Sequence, residues 1–173
     1  MAWSAPPTAA ANLVFTASQW NSGVRDNLQE TASAKASTTS RLIVTDAANS
    51  VQEREIAEDF VLASQTVTNT VYSDPATPGP QVIVTCGFQA LVWMSCNLST
   101  TAGTVLASFG VNGVAAVDAR AILQEGLVNK DDRYGVTNLF GSIAPGAWTF
   151  LMRYRSTAGT LTCGARRLIV MAL

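Results

Sequence analysis

The distribution of apolar and polar positions divides the chain near residue 62. Before that point the sequence is rich in Ala, Ser and Thr and contains one run with helical periodicity. Trp20, Val24 and Leu28 place a narrow apolar stripe along residues 17–29. Beyond it, β-branched and aromatic runs alternate with Gly, Pro and Asn turns. The pattern predicts a short helix followed by an all-β domain.

The predicted helix has a clear start. Thr16 and Gln19 form a T-x-x-Q capping box, and Phe15 and Trp20 have the spacing of a hydrophobic staple. A helix of about three to four turns is marginally stable alone in water. Its stripe must therefore pack on the β domain, on a sister copy or on another protein. The candidate docking residues are Phe15, Trp20, Val24 and Leu28.

The rest of the N-terminal region offers little apolar surface. Residues 31–40 contain no large apolar side chain and resemble a tether, whereas residues 41–45 predict a short strand. Residues 51–62 are ambiguous, because a Ser-x-x-Glu pattern at residues 50–53 resembles a capping box but the apolar spacing is poor. We interpret residues 1–62 as a docking arm that is ordered by contact.

Residues 63–173 are predicted to form a mainly β domain. Eight strands are expected, at residues 64–72, 81–85, 90–98, 104–111, 120–124, 134–140, 147–155 and 160–172. Short strands with a turn about every ten residues indicate a jelly-roll-like antiparallel β-sandwich. No internal repeat stands out.

Alternation within the strands separates an inside from an outside. Residues 147–155 carry one strongly apolar face, formed by Trp148, Phe150, Met152 and Tyr154. Residues 90–98 are apolar on both faces, and Trp93 points away from the face that holds Met94. A strand that is apolar on both faces is usually buried on both. The second covering is expected to come from the arm or from a neighbouring subunit, which makes Trp93 a candidate interface residue.

Composition strengthens the expectation of an assembly. Charged residues make up 13% of the chain, against roughly a quarter in an ordinary soluble domain. This deficit favours a surface that other chains cover, although a monomer coated in Ser, Thr, Asn and Gly is the alternative.

Partners other than proteins are disfavoured by charge and hydropathy. The net charge of −1 provides no basic field for nucleic acid. No apolar run approaches the ~20 residues that a membrane span needs. The first residues lack the features of a signal peptide, so we expect folding in the cytoplasm of the producing cell.

The absence of histidine excludes most familiar hydrolase chemistry. With 0 histidines, no Ser-His-Asp or Cys-His arrangement and no histidine-based metal site can form. Cys86, Cys96 and Cys163 show no C-x-x-C spacing, and buried reduced thiols are expected.

Three further groups of residues have the side chains that a site would need. Turn aspartates Asp118, Asp131 and Asp132 have cation-binding chemistry but no D-x-D-x-D-G pattern. The acidic residues Glu53, Glu55, Glu58 and Asp59 suggest a solvated cluster more than a glycosidase pair. Aromatic residues Tyr72, Trp93, Trp148 and Tyr154 could stack on sugars, but their period-2 placement favours core packing. We therefore predict no enzyme, no metal and no cofactor.

The segment from Phe15 to Leu28, FTASQWNSGVRDNL, resembles a known motif. It is similar to the T-A-x-x-W-N-x-x-V-R-D-N-L segment near the start of many small structural proteins of tailed phages, notably those of actinobacteria. The similarity continues at residues 41–44, 48–51, 53–54, 145–146, 150, 154–155 and 166–170. It covers nearly the whole chain, with the W-N-x-x-V-R-D-N-L segment its most specific part.

This resemblance implies a minor tail, fibre or decoration protein of a virion. Such modules are often trimers, so the expected partners are further copies of this chain and other virion proteins. No catalytic residue is carried over, because the family has no common active site. A module that binds a host-surface glycan or receptor is the alternative function.

Overall fold

A computed structural model describes residues 14, 16–29, 31, 35–39, 41–48, 50–125 and 132–173. The chain divides into two compact units, Met1–Glu55 with Leu173, and Ile56–Ala172. The sequence pattern placed this boundary after residue 62. The difference arises within one strand, since residues 56–61 pair with the last strand of the second unit. The candidate docking residue Phe15 lies outside the described residues.

Residues 17–29 form a continuous helical run in the first unit. It consists of helix α1 (Ala17–Trp20), a π-helical turn (Asn21–Arg25) and helix α2 (Asp26–Gln29). The Thr16 hydroxyl accepts a hydrogen bond from the Gln19 amide at 3.2 Å, and the Gln19 side chain accepts one from the Thr16 amide at 3.0 Å. The predicted helix and its capping box are confirmed. Within the described residues, no helix is long and apolar enough to cross a membrane.

The first unit also contains an antiparallel hairpin of strands β1 (Arg41–Ala47) and β2 (Ser50–Val61). The ambiguity of residues 51–62 is resolved in favour of a strand. Glu53 accepts hydrogen bonds from the Ser37 amide at 2.6 Å and the Ser37 hydroxyl at 2.9 Å. This contact ties part of the predicted tether to the hairpin.

The remaining strands form an antiparallel sheet, and the prediction of a mainly β fold is confirmed. They are β3 (Gln65–Val67), β4 (Gln81–Cys86), β5 (Gln89–Val111), β6 (Ile122–Glu125), β7 (Asp132–Gly141) and β8 (Gly146–Ala172). A 3₁₀ turn, Asp118–Arg120, precedes β6. Both β5 and β8 are single long strands where the sequence pattern predicted two shorter strands each.

The sheet has two halves that share β5 and β8. In the first half the strand order is β2–β8–β5–β7, formed with residues 163–172 of β8 and 89–98 of β5. In the second half it is β4–β8–β5–β6, formed with residues 146–156 and 104–111. Inward side chains of both halves join one hydrophobic core. The sheet therefore folds over itself into the expected sandwich.

Three phenylalanines from three strands meet in this core. The Phe140 ring lies 6.0 Å from the rings of Phe109 and Phe150, edge-on to both. The Arg120 guanidinium lies over the Phe109 ring at 4.8 Å and the Phe140 ring at 5.1 Å. Because Phe140 belongs to the first half and the other two rings to the second, these contacts join the two halves.

A bend carries β5 and β8 from one half to the other. The same pattern, Ser/Thr-Thr-Ala-Gly-Thr, occurs at both bends, over residues 100–104 and 156–160. Ala102 lies opposite Ala158, and the ladder register shifts on both sides of Ala102. Such bulges bend a strand and increase its twist. The expectation that the chain contains no internal repeat is therefore wrong for this short pattern.

The two bends make equivalent hydrogen bonds to each other. The Thr104 amide donates to the Thr157 hydroxyl at 2.8 Å, and the Thr160 amide donates to the Thr101 hydroxyl at 2.9 Å. Each threonine hydroxyl thus satisfies a backbone amide that the bulge takes out of the ladder. The bend is held by reciprocal side-chain contacts in place of regular strand pairing.

Glycine is required at both bends. Gly103 and Gly159 have φ angles of 72° and 69°, in the left-handed region. A Cβ on Gly103 would lie 2.8 Å from Thr157 Oγ1, and one on Gly159 would lie 2.7 Å from Thr101 Oγ1. Neither position has room for a larger residue without displacing the hydroxyl that caps the opposite strand.

We expect Gly103→Ala and Gly159→Ala to destabilise the domain more than Gly113→Ala does. Gly113 has a φ of 80°, but a Cβ added there would meet no atom within 4 Å, so its substitution costs only the backbone term, ~1–2 kcal/mol. The bend substitutions add an overpacking term of ~1–3 kcal/mol. Urea unfolding of the three variants measures the difference. Equal losses for all three would mean that the bend is not sterically demanding.

Candidate assembly surface

The outward side chains of the first half of the sheet form a regular grid. Strand pairing places Ile56, Met171, Leu91 and Leu139 in one row. The next row contains Glu58, Ile169, Trp93 and Thr137, and the third contains Phe60, Arg167, Ser95 and Gly135. We call this surface the outer face. Its orientation is fixed by Val92 and Val170, whose side chains are fully buried on the opposite side.

Large apolar side chains of the outer face are open to solvent. Leu139 is 61% exposed, Trp93 51%, Ile56 47% and Phe60 42%. Four strands about 4.8 Å apart and three rows about 7 Å apart span on the order of 400 Å². The largest apolar patch on a soluble protein is of this order and is often functional. The sequence pattern identified only Trp93 here. The period-2 pattern of residues 56–60 could have identified Ile56 and Phe60 of β2 as side chains of the same face.

Trp93 is supported by a glycine on the neighbouring strand. Gly135 lies opposite Ser95, and a Cβ on Gly135 would be 3.5 Å from the indole nitrogen of Trp93. The missing side chain at Gly135 thus leaves room for the indole to lie across β7.

Met94, the next residue of β5, is fully buried in the core. The predicted division of residues 90–98 into two apolar faces is confirmed. Among the described residues, the face that carries Trp93 has no second covering.

A hollow of about 240 Å³ opens beside Trp93. Its lining includes the arginines Arg133 and Arg167, together with Ser95 and Tyr134. Arg133 donates to the Ser95 hydroxyl at 3.3 Å, and the Arg167 guanidinium lies over the Phe60 ring at 5.2 Å. No carboxylate belongs to this lining as far as the structure describes the chain. The hollow therefore presents two cations beside the large apolar side chains of the outer face.

The neighbouring Arg166 points the other way. It is fully buried, and its Nη1 donates to the carbonyl oxygens of Thr77 at 3.1 Å and Gly79 at 2.9 Å. Its guanidinium holds the loop before β4 and lies over the Tyr154 ring.

The helix of the first unit also presents its stripe to solvent. Trp20 is 56% exposed and Leu28 is 60% exposed, while Val24 is partly buried. The stripe remains a candidate docking surface of that unit, although its fourth member, Phe15, lies outside the described residues. Each unit therefore has one candidate surface, the stripe in the first and the outer face in the second.

A second cluster, on the outward side of the other half, is satisfied internally. Arg155 binds both carboxylate oxygens of Asp118 at 3.1 and 2.5 Å, and the Tyr72 hydroxyl donates to Asp118 at 2.9 Å. The hydrogen bonds from Arg155 hold the pKa of Asp118 below its usual value, while burial raises the pKa of Tyr72. This cluster joins two loops and leaves no carboxylate oxygen without a donor.

Among the other candidate residues, Glu53 and Glu55 of the acidic cluster both pair with Arg41 across the β1–β2 hairpin. In the described part of the chain, no group of three acidic or cysteine side chains could hold a metal ion. Asp131 lies outside it. Cys86, Cys96 and Cys163 are buried without a disulfide, and burial raises the pKa of the Cys163 thiol to about 11. The outer face is thus the strongest candidate site.

No protein-family model matches the sequence, and no curated protein has a significantly similar sequence. Among solved structures, the fold is similar to the VP2 subviral particle of infectious bursal disease virus, with a TM-score of 0.47 and 9% identity. It is also similar to Eiger TNF from S. frugiperda, with a TM-score of 0.43 and 13% identity. The matches cover 69% and 68% of this chain, and 32% of the VP2 chain and 92% of the TNF chain. This similarity concerns strand architecture and supports no inference about function.

Trp93→Asp should leave the domain folded, whereas Met94→Asp should abolish folding. The two residues are adjacent in β5, but Trp93 is 51% exposed and Met94 is 0% exposed. A buried unpaired carboxylate costs several kcal/mol, while an outward one remains hydrated. Far-UV circular dichroism and urea unfolding measure both variants. Loss of folding in Trp93→Asp would show that the outer face belongs to the core.

Proposed function

We propose that the protein is a non-enzymatic structural component of a bacteriophage virion, of the minor tail, fibre or decoration type. In this proposal the helical segment docks on the particle, the sandwich projects from it, and three copies assemble through the outer face. The protein folds in the host cytoplasm and resides in the virion. Its partners are its own copies and other virion proteins.

The observation that carries the proposal is the exposed apolar surface of the outer face. Four of its large apolar side chains are more than 40% exposed, on a protein with 13% charged residues. Covering such a surface stabilises an assembly by ~25 cal/mol for each Å² of apolar area removed from water.

The resemblance of residues 15–28 to the phage motif is the reason for proposing a phage particle as the structure on which the helix docks. In the described residues, Trp20 and Leu28 are exposed on this helix, and its capping box fixes where the helix starts. An aromatic anchor on a short helix is the kind of residue that dominates docking energies. These features support attachment through the helix and self-assembly through the sheet.

Incorporation into particles should fall at least tenfold on Trp20→Ala. Loss of a packed tryptophan costs ~3–5 kcal/mol, roughly a hundredfold or more in binding. Particles made with the variant are purified, and the protein on them is quantified against a major virion protein. The matched control is Arg25→Ala, which removes an exposed side chain from the same helix but off its stripe.

Wild-type incorporation of Trp20→Ala would contradict the docking role of the helix. Absence of the unmodified protein from purified particles would contradict the virion function as a whole. A labelled antibody against the sandwich, imaged on intact particles, then distinguishes head, neck, tail and tip.

A further inference from the structure

Several charged side chains of the described residues form ion pairs within the chain. The pairs with acidic partners are Arg25 with Asp26, Arg41 with Glu53 and Glu55, Arg153 with Asp74, and Arg155 with Asp118. The outer face carries charges of both signs outside these pairs. Glu58 is exposed there with no ion pair to any described residue, and Arg133 and Arg167 contact a hydroxyl and an aromatic ring instead of a carboxylate.

The acidic and basic side chains lie on different strands of the face. Glu58 lies on β2 and Arg133 on β7, with β8 and β5 between them. Three strand spacings of about 4.8 Å separate the two columns by roughly 14 Å, too far for an ion pair within one copy. Arg167, on β8, lies one strand from Glu58 and diagonal to it, but its guanidinium lies over the Phe60 ring. The acidic side chain therefore lies toward one edge of the face, and Arg133, at the far side of the hollow, lies toward the other.

We propose that the hollow between Arg133 and Arg167 receives the Glu58 carboxylate of a second copy of this chain. The inference rests on the self-assembly proposed above and names the contact that sets its register. An acid on one edge and a base on the other form a head-to-tail pattern, which a cyclic assembly repeats at every interface. Desolvation by the surrounding apolar residues strengthens such a pair and selects against other orientations.

The shape and chemistry of the surface favour a protein copy over a glycan. The hydroxyl groups of a sugar donate hydrogen bonds as well as accept them. The polar side chains that line the hollow beside Trp93 are two guanidiniums, which can only donate, and the hydroxyls of Ser95 and Tyr134. The outer face around it carries exposed Ile56, Phe60, Trp93 and Leu139, large apolar side chains of the kind found at the centre of a protein interface. A second copy supplies both requirements, because it carries the matching apolar rows and the carboxylate.

Charge reversal tests the pair directly in the full-length protein. Glu58→Arg and Arg133→Glu should each lower the association constant at least tenfold, because each places like charges together. The double variant E58R/R133E restores opposite charges with the polarity exchanged. Its association constant should return to within about threefold of wild type. Light scattering at several micromolar concentrations measures the mass against the 18.2 kDa monomer.

Glu125→Arg is the matched control, since it makes the same charge change at an exposed glutamate of β6. It should associate as wild type. Circular dichroism confirms that every variant is folded. A wild-type monomer, single variants that assemble normally, or a folded double variant that stays monomeric would each overturn the inference. Binding of acidic oligosaccharide by a monomer would overturn it in favour of a glycan site.

The inference and the virion function can fail separately. Particles that incorporate Glu58→Arg as a normal oligomer would overturn the proposed contact and leave the virion function intact. Rescue by E58R/R133E in a protein that never enters particles would support the contact and contradict the virion function.

Discussion

Gly103 and Gly159 lie where β5 and β8 bend, and each packs against the strand that carries the other. A Cβ at either position would meet a threonine hydroxyl of the facing strand within 3 Å. Those hydroxyls also accept the backbone amides of Thr104 and Thr160. The steric requirement and the hydrogen bonds thus depend on each other. Neither strand can bend here unless the other bends with it.

The joint bend determines where the interior lies. Because β5 and β8 remain paired through it, the two halves of the sheet turn together and bring their inward faces into one core. Phe140 of one half then meets Phe109 and Phe150 of the other. The opposite faces are directed outward by the same step. The apolar outer face is therefore a consequence of the fold and not of a loose segment.

Local patterns were sufficient to predict much of this architecture. The capping box at Thr16 predicted the helix, and alternation in residues 147–155 predicted which side chains are buried. Continuity of β5 and β8 through the bend could not be inferred, since residues 100–104 are polar and contain glycine, which usually indicates a turn. The outer face was predicted only at Trp93. Its other rows depend on register between strands far apart in sequence, and alternation within one strand carries no such information.

One bulge decides which arginine belongs to the outer face. Alternation along β8 places Leu161 and Cys163 inward, yet Arg166 is also inward, so the phase changes between them. Ala165 has a φ of 45°, and the pairing with β5 shifts at the facing residues 95–97. The inserted residue sends Arg166 into the core, where loop carbonyls receive it, and leaves Arg167 beside the hollow. Without this bulge the two arginines would exchange roles, and the core residues Leu168 and Val170 would turn outward with Arg166. The same local irregularity therefore preserves the core and sets the charge pattern on which assembly through the outer face depends.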